Sequence, residues 1–262
     1  EDNQVATDNT YVTGKFTFDN NTLKTNNGDI AKNNAIEIKG VGSSSKTSVD
    51  VTVKNQIQDQ TVKVSKVNGQ ISADNVTNLE IADNTITNPE TSLLKGSSTE
   101  SYIGRGIDVR NSDKIKIENN TIAGATAEGI YLENVGTSTD NTIKNNTVTG
   151  MKASTDSNLE AGIFVRNNKD GYIAITGNTV KDNNQTAGIG YPTSRDDQNA
   201  VDGIEVNVCR GGTNLGSDGF TDGVAGACES NSTLTALINN NIVSNLQGAA
   251  DGIDSNIGDN GR

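Results

Sequence analysis

Gly129-Ile130-Tyr131-Leu132 and, a little further on, Asn145-Asn146-Thr147-Val148 are the two phrases whose reading decides the fold. In both, apolar side chains fall at alternate positions, which is the period of a β-strand. The first phrase returns as Gly106-Ile107-Asp108-Val109, Gly162-Ile163-Phe164-Val165 and Gly203-Ile204-Glu205-Val206, with a partial copy at Gly252-Ile253-Asp254. The second returns as Asp83-Asn84-Thr85-Ile86, Asn119-Asn120-Thr121-Ile122, Gly177-Asn178-Thr179-Val180 and Asn240-Asn241-Ile242-Val243. The phrases alternate, one of each per repeat. Successive glycines of the first phrase lie 23, 33, 41 and 49 residues apart, so the shortest spacing is the bare unit and the others carry insertions.

A repeat of this length built from short strands predicts a solenoid. Lys114-Ile115-Lys116-Ile117 and Tyr172-Ile173-Ala174-Ile175 supply further strands. Between the strands stand Gly, Asn and Asp, which tolerate left-handed turns. The expected architecture is all-β: about three short parallel strands per coil, with inward Ile and Val stacked on the same positions of the next coil. Such a core is one side chain deep. That accounts for a chain of 262 residues with only 32% hydrophobic residues, 3% aromatics, no Trp and a mean hydropathy of -0.54. It also gives the 37 asparagines a purpose, because stacked amides at a recurring bend hydrogen-bond up and down the coil.

Over about Val76 to Gly261 the sequence resembles the right-handed parallel β-helix families, with repeats of the kind found in pectate lyases, alginate epimerases, phage tailspikes and surface adhesins. The resemblance implies the fold and leaves the activity open, since this repeat hosts many activities. Residues 1–75 are less regular. Thr17 to Leu23 and Ala35 to Ile38 read as degenerate coils, and Ser48 to Val53 as a strand. The expected organisation is N-terminal coils and a cap over 1–75, then regular coils with inserted loops over 76–262, in one continuous solenoid. A small separate β domain is the alternative for the first part. The sequence closes at Gly261-Arg262 just after a repeat phrase, which predicts either a fragment of a longer solenoid or a last coil covered by the next subunit.

Composition excludes several classes. No apolar run is long enough for a membrane-spanning helix. Asn, Thr, Gly and β-branched residues dominate, which excludes a helical bundle. A net charge of -12 repels phosphate, so nucleic acid is not an expected partner. The chain has no His, which removes the commonest general base and metal ligand. Cys209 and Cys228 enclose a Gly-rich stretch, and a disulfide there would staple it by roughly 3 kcal/mol. Two unrelated buried thiols are the alternative. A staple belongs to an oxidising compartment, so the expected location is extracellular or at the cell surface.

The residue between the two apolar ones in the first phrase points away from the core. Read up the coils, these are Asp108, Tyr131, Phe164, Glu205 and Asp254, followed two positions on by Arg110, Glu133, Arg166 and Asn207. In register they form a strip that suits an extended glycan, through ring stacking and bidentate polar contacts. The competing reading is a solvated face whose charges satisfy one another. Catalysis would rest on Asp108 and Glu205 with Arg110 or Arg166, yet Tyr131 and Phe164 separate the two carboxylates. The resemblance implies adjacent aspartates with a His motif in polygalacturonases, an Asp near a His and a Tyr in alginate epimerases, and an Arg base beside Ca²⁺ in pectate lyases. Asp196-Asp197 is similar to the first, but the His is missing from both of the first two sets, and no segment matches the third. Calcium is weakly indicated at Asp218 and Asp222, whose loop lacks an oxygen ligand at Phe220. Thr85, Thr121, Thr147 and Thr179 form an outward series that strand propensity explains.

The expected function is therefore an extracellular structural β-helix, a surface adhesin segment or a subunit stacking end to end on copies of itself. The alternative is a protein that binds or degrades polysaccharide through the strip.

Overall fold

The computed structural model describes residues 13–23, 36–39, 48–58, 61–67, 69–87, 105–125, 128–151, 160–183, 201–208, 232–246 and 251–257. Among them every regular element is a strand, every strand pairing is parallel, and no helix is long and apolar enough to cross a membrane.

The Gly-Ile phrase builds the first face of a three-sided coil. Ile107–Arg110, Ile130–Glu133, Glu160–Asn167, Val201–Val208 and Ile253–Ile257 pair in that order. Their isoleucines stand in one column, Ile107, Ile130, Ile163, Ile204 and Ile253. Asp113–Glu118, Thr142–Lys144, Gly171–Thr176 and Leu234–Asn239 form the second face. The Asn-Thr phrase forms the third, from Thr85–Thr87, Thr121–Ala123, Thr147–Thr149, Thr179–Lys181 and Ile242–Ser244. Strand Ile71–Ala82 turns the corner between the first two faces, bending at Asn75 and Asn78 with φ of 56° and 61°. It therefore hydrogen-bonds the first and second faces into one curled sheet.

Residues before 71 extend the same ladders. Thr13–Phe18 pairs with Ser48–Gln58, which pairs with Ile71–Ala82. Ile36–Lys39 pairs with Val62–Ser65, which pairs with the second half of Ile71–Ala82. The inward columns from the three faces meet along the axis: Ile81, Ile117, Ile143 and Ile175 from the second, and Ile86, Ile122, Val148 and Val180 from the third, all at most 1% exposed. This is the shallow core that the composition calls for.

Each letter of the Asn-Thr phrase has its own task. The first residue adopts left-handed backbone, as at Asp83, Asn119, Asn145, Gly177 and Asn240, with φ between 53° and 68°. The second is the ladder residue. Asn84 Nδ2 donates to Asn120 Oδ1 at 2.9 Å, Asn120 to Asn146 at 2.9 Å, Asn146 to Asn178 at 3.0 Å and Asn178 to Asn241 at 3.0 Å. The third, Thr, faces outward in one column, and the fourth fills the core. The glycines of the other phrase are not turn residues. A Cβ on Gly129 would lie 2.4 Å from Val148 Cγ1 and 2.6 Å from the Gly162 carbonyl oxygen, so bareness, not backbone freedom, is what the position needs.

Candidate functional site

The first face brings the strip together in the expected register. Asp108, Tyr131, Phe164, Glu205 and Asp254 occupy successive rungs, and Arg110, Glu133, Arg166 and Asn207 the column beside them. The side chains point away from the axial core, as strand alternation requires. One part of the expectation is corrected: the strip is closed. Asp108 is 2% exposed, Tyr131 and Phe164 1%, Glu205 3% and Asn207 1%, while Arg110, Glu133 and, at the last rung, Asp254 are half-buried. Solvent-facing strips on a sheet leave one side of each residue in water; here Tyr131, Phe164 and Ala161 form a second, small apolar cluster outside the main core.

A chain of charges of alternating sign wraps around Tyr131 on this face. Arg105 forks onto Glu128 through Nε and Nη2, and its Nη1 reaches Asp108 Oδ2 at 2.9 Å. Asp108 also receives Arg110, at 2.9 Å to Oδ1 and 3.2 Å to Oδ2. Glu133 lies between Arg110 and Arg166, at 3.8 and 3.7 Å. The Tyr131 hydroxyl donates to Glu133 Oε2 at 2.8 Å, and its ring stands 5.6 Å from that of Phe164, tilted by 57°. Arg105 lies over the Tyr131 ring with its Cζ 3.6 Å from the centroid. Beyond this network, Asn207 donates to Glu205 Oε1 at 2.7 Å.

The electrostatics follow from burial and pairing. Burial opposes the charge on Arg105, but Glu128 and Asp108 outweigh it and hold the guanidinium charged well above its ordinary range. Arg110 is raised in the same way, against burial, chiefly by Asp108. Burial pushes the Tyr131 phenol far up despite Arg166 and Arg105, so the hydroxyl remains a donor.

Arg105 and Glu128 were not among the residues singled out from sequence. The signal was present, since each immediately precedes the glycine of a Gly-Ile phrase. Opposite charges at equivalent positions of adjacent coils are neighbours once the register is known. Asp196, Asp197, Asp218, Asp222, Cys209 and Cys228 lie outside the described residues.

Three parallel faces, a one-residue-deep axial core and an asparagine ladder define a right-handed parallel β-helix solenoid. The family model for the right handed beta helix region matches residues 5–206, and the chain belongs to that family. No match was found among curated proteins or among solved structures. The matched span includes the strands before residue 71, the ionic network and most of the asparagine ladder.

Proposed function

We propose that the chain is a structural module of a secreted or surface-displayed protein: a stiff rod that acts by shape, through segments displayed from its side and through end-to-end stacking on further copies. The observation that supports it is the closed state of the first face. A sugar platform needs open ring faces, and an acid–base pair needs carboxylates facing a substrate. Here the Tyr131 ring carries Arg105, and Asp108, Glu128 and Glu133 are engaged by three arginines of the same chain. Among the described residues, the exposed first and last members of the inward column, Phe16 at 48% and Ile253 at 53%, favour stacking, because the same parallel ladder runs through both.

Polysaccharide binding or cleavage is the second reading. It is favoured by one feature: the chain lengthens between third-face and first-face strands, from Thr87 to Ile107, from Thr149 to Glu160 and from Lys181 to Val201. Each of those segments leads into a first-face strand that carries the strip.

Negative-stain electron microscopy together with an oligosaccharide binding array tests the two readings. Rods or filaments without saturable glycan binding are expected. Saturable binding that Arg110→Gln abolishes, or release of cleaved oligosaccharide, would overturn the structural reading.

A further inference from the structure

The Arg105 guanidinium is recognised on its edges and on its face. Two edges are taken by carboxylates: the Glu128 pair through Nε and Nη2, the latter at 3.2 Å, and Asp108 through Nη1 at 2.9 Å. Its Cζ lies over the Tyr131 ring, 3.6 Å from the centroid. The Asp108 and Glu128 side chains are each 3% exposed, against 13% for Arg105. A planar, delocalised cation matches a bidentate carboxylate and an aromatic face together, and a compact ammonium does not. Two coils build the arrangement. Arg105 and Asp108 stand on one, Glu128 and Tyr131 on the next.

We propose that Asp108, Glu128 and Tyr131 form a guanidinium-binding site that Arg105 fills in cis, as a latch closing the outer side of the first face. Its place in the chain suits that role. Residue 105 lies where the chain returns from Thr85–Thr87 to the first face at Ile107–Arg110, so the latch fastens the start of one coil to the next. An arginine from a partner enters the site only in competition with Arg105.

The test is Arg105→Ala titrated with methylguanidinium, with ethylammonium as the control cation, followed by thermal melting and by the near-ultraviolet tyrosine signal. The variant is expected to melt several degrees below the parent chain. Millimolar methylguanidinium should restore most of that loss saturably, while ethylammonium does not, and neither should shift the parent. Arg105→Ala combined with Glu128→Gln should lose the response. Absence of saturable rescue, or equal rescue by both cations, overturns the site. If Arg105→Ala does not fold alone, refolding yield with each cation becomes the readout: a several-fold gain confined to methylguanidinium supports the site, and no difference between the cations overturns it.

Discussion

Asn146 makes four hydrogen bonds with one side chain. Its Oδ1 accepts from the backbone N–H and the Nδ2 of Asn120, both at 2.9 Å, and its Nδ2 donates to the Ile117 carbonyl at 2.9 Å and to Asn178 Oδ1 at 3.0 Å. At 1% exposure no water replaces them. Asn146→Ala leaves partners on the two flanking coils unsatisfied, and a loss of about 3 kcal/mol is expected. Asn146→Asp should cost more, because a carboxylate cannot donate to Ile117 or Asn178 and carries charge into the core. Urea unfolding checks both, as a lower midpoint at unchanged slope. The repeated Asn-Asn pair is legible in the sequence as a bend with stacked amides. Which asparagine turns and which stacks is not legible in the Asn145-Asn146 pair alone, since both are left-handed-tolerant amides, although Asp83 and Gly177 stand at the first position of other copies and Asn at the second of all. The backbone assigns Asn145 to the turn, with φ of 55°, and so leaves Asn146 for the ladder.

At the scale of the strand, the first-face glycines set how closely neighbouring elements approach. A Cβ on Gly162 would stand 2.3 Å from Val180 Cγ1 on the third face and 2.9 Å from the Gly203 carbonyl oxygen on the next coil. On Gly252 it would meet nothing within 4 Å. Gly162→Ala is therefore expected to cost on the order of 2 kcal/mol through overpacking. Gly252→Ala should change stability by less than about 0.5 kcal/mol. Melting the two variants side by side checks this; equal effects would show that the glycines act through the unfolded chain instead. The first phrase carries its glycine in every copy, and the packing of first-face backbone against Ile122, Val148, Val180 and Val243 of the third face gives the reason.

Across the whole molecule the three faces carry different chemistry on one scaffold. The first carries a buried ionic network, the second half-buried mixed charge such as Lys63–Glu80 at 2.7 Å, and the third a column of threonines. The last two coils are joined through Asp202, whose carboxylate accepts the Asp251 N–H at 2.7 Å. Burial raises its pKa from 3.8 to about 6; that N–H opposes the shift, and the charges of Asp251 and Asp254 add to it. The folded chain thus holds this proton more tightly than the unfolded chain does. The resulting stabilisation is complete below about pH 4 and is lost as pH rises through 6. Asp202→Asn should therefore be the more stable protein at pH 7, by about 1 kcal/mol after allowing for partial solvent screening. The advantage should vanish by pH 4. Parallel chemical unfolding of the two proteins from pH 4 to 8 measures it, and a constant difference would remove Asp202 as its source.

The sequence by itself determined the coil and the alternation, because a one-residue slip would expose every Ile of the column and bury its polar neighbours, while which rungs pair was only an expectation from the repeated phrases. It placed Tyr131 beside Phe164 and Asp108 beside Tyr131, as the ladders do. What it did not determine was the state of the outer side of the first face. Periodicity tells which way a side chain points from its own strand, but not what lies over it. Arg105, which precedes its strand, lies over Tyr131 and bridges Asp108 to Glu128 one coil further on. Arg105 and Glu128 hold equivalent positions in successive repeats, but which carboxylates the arginines engage, and how deeply they are buried, only the tertiary structure decides.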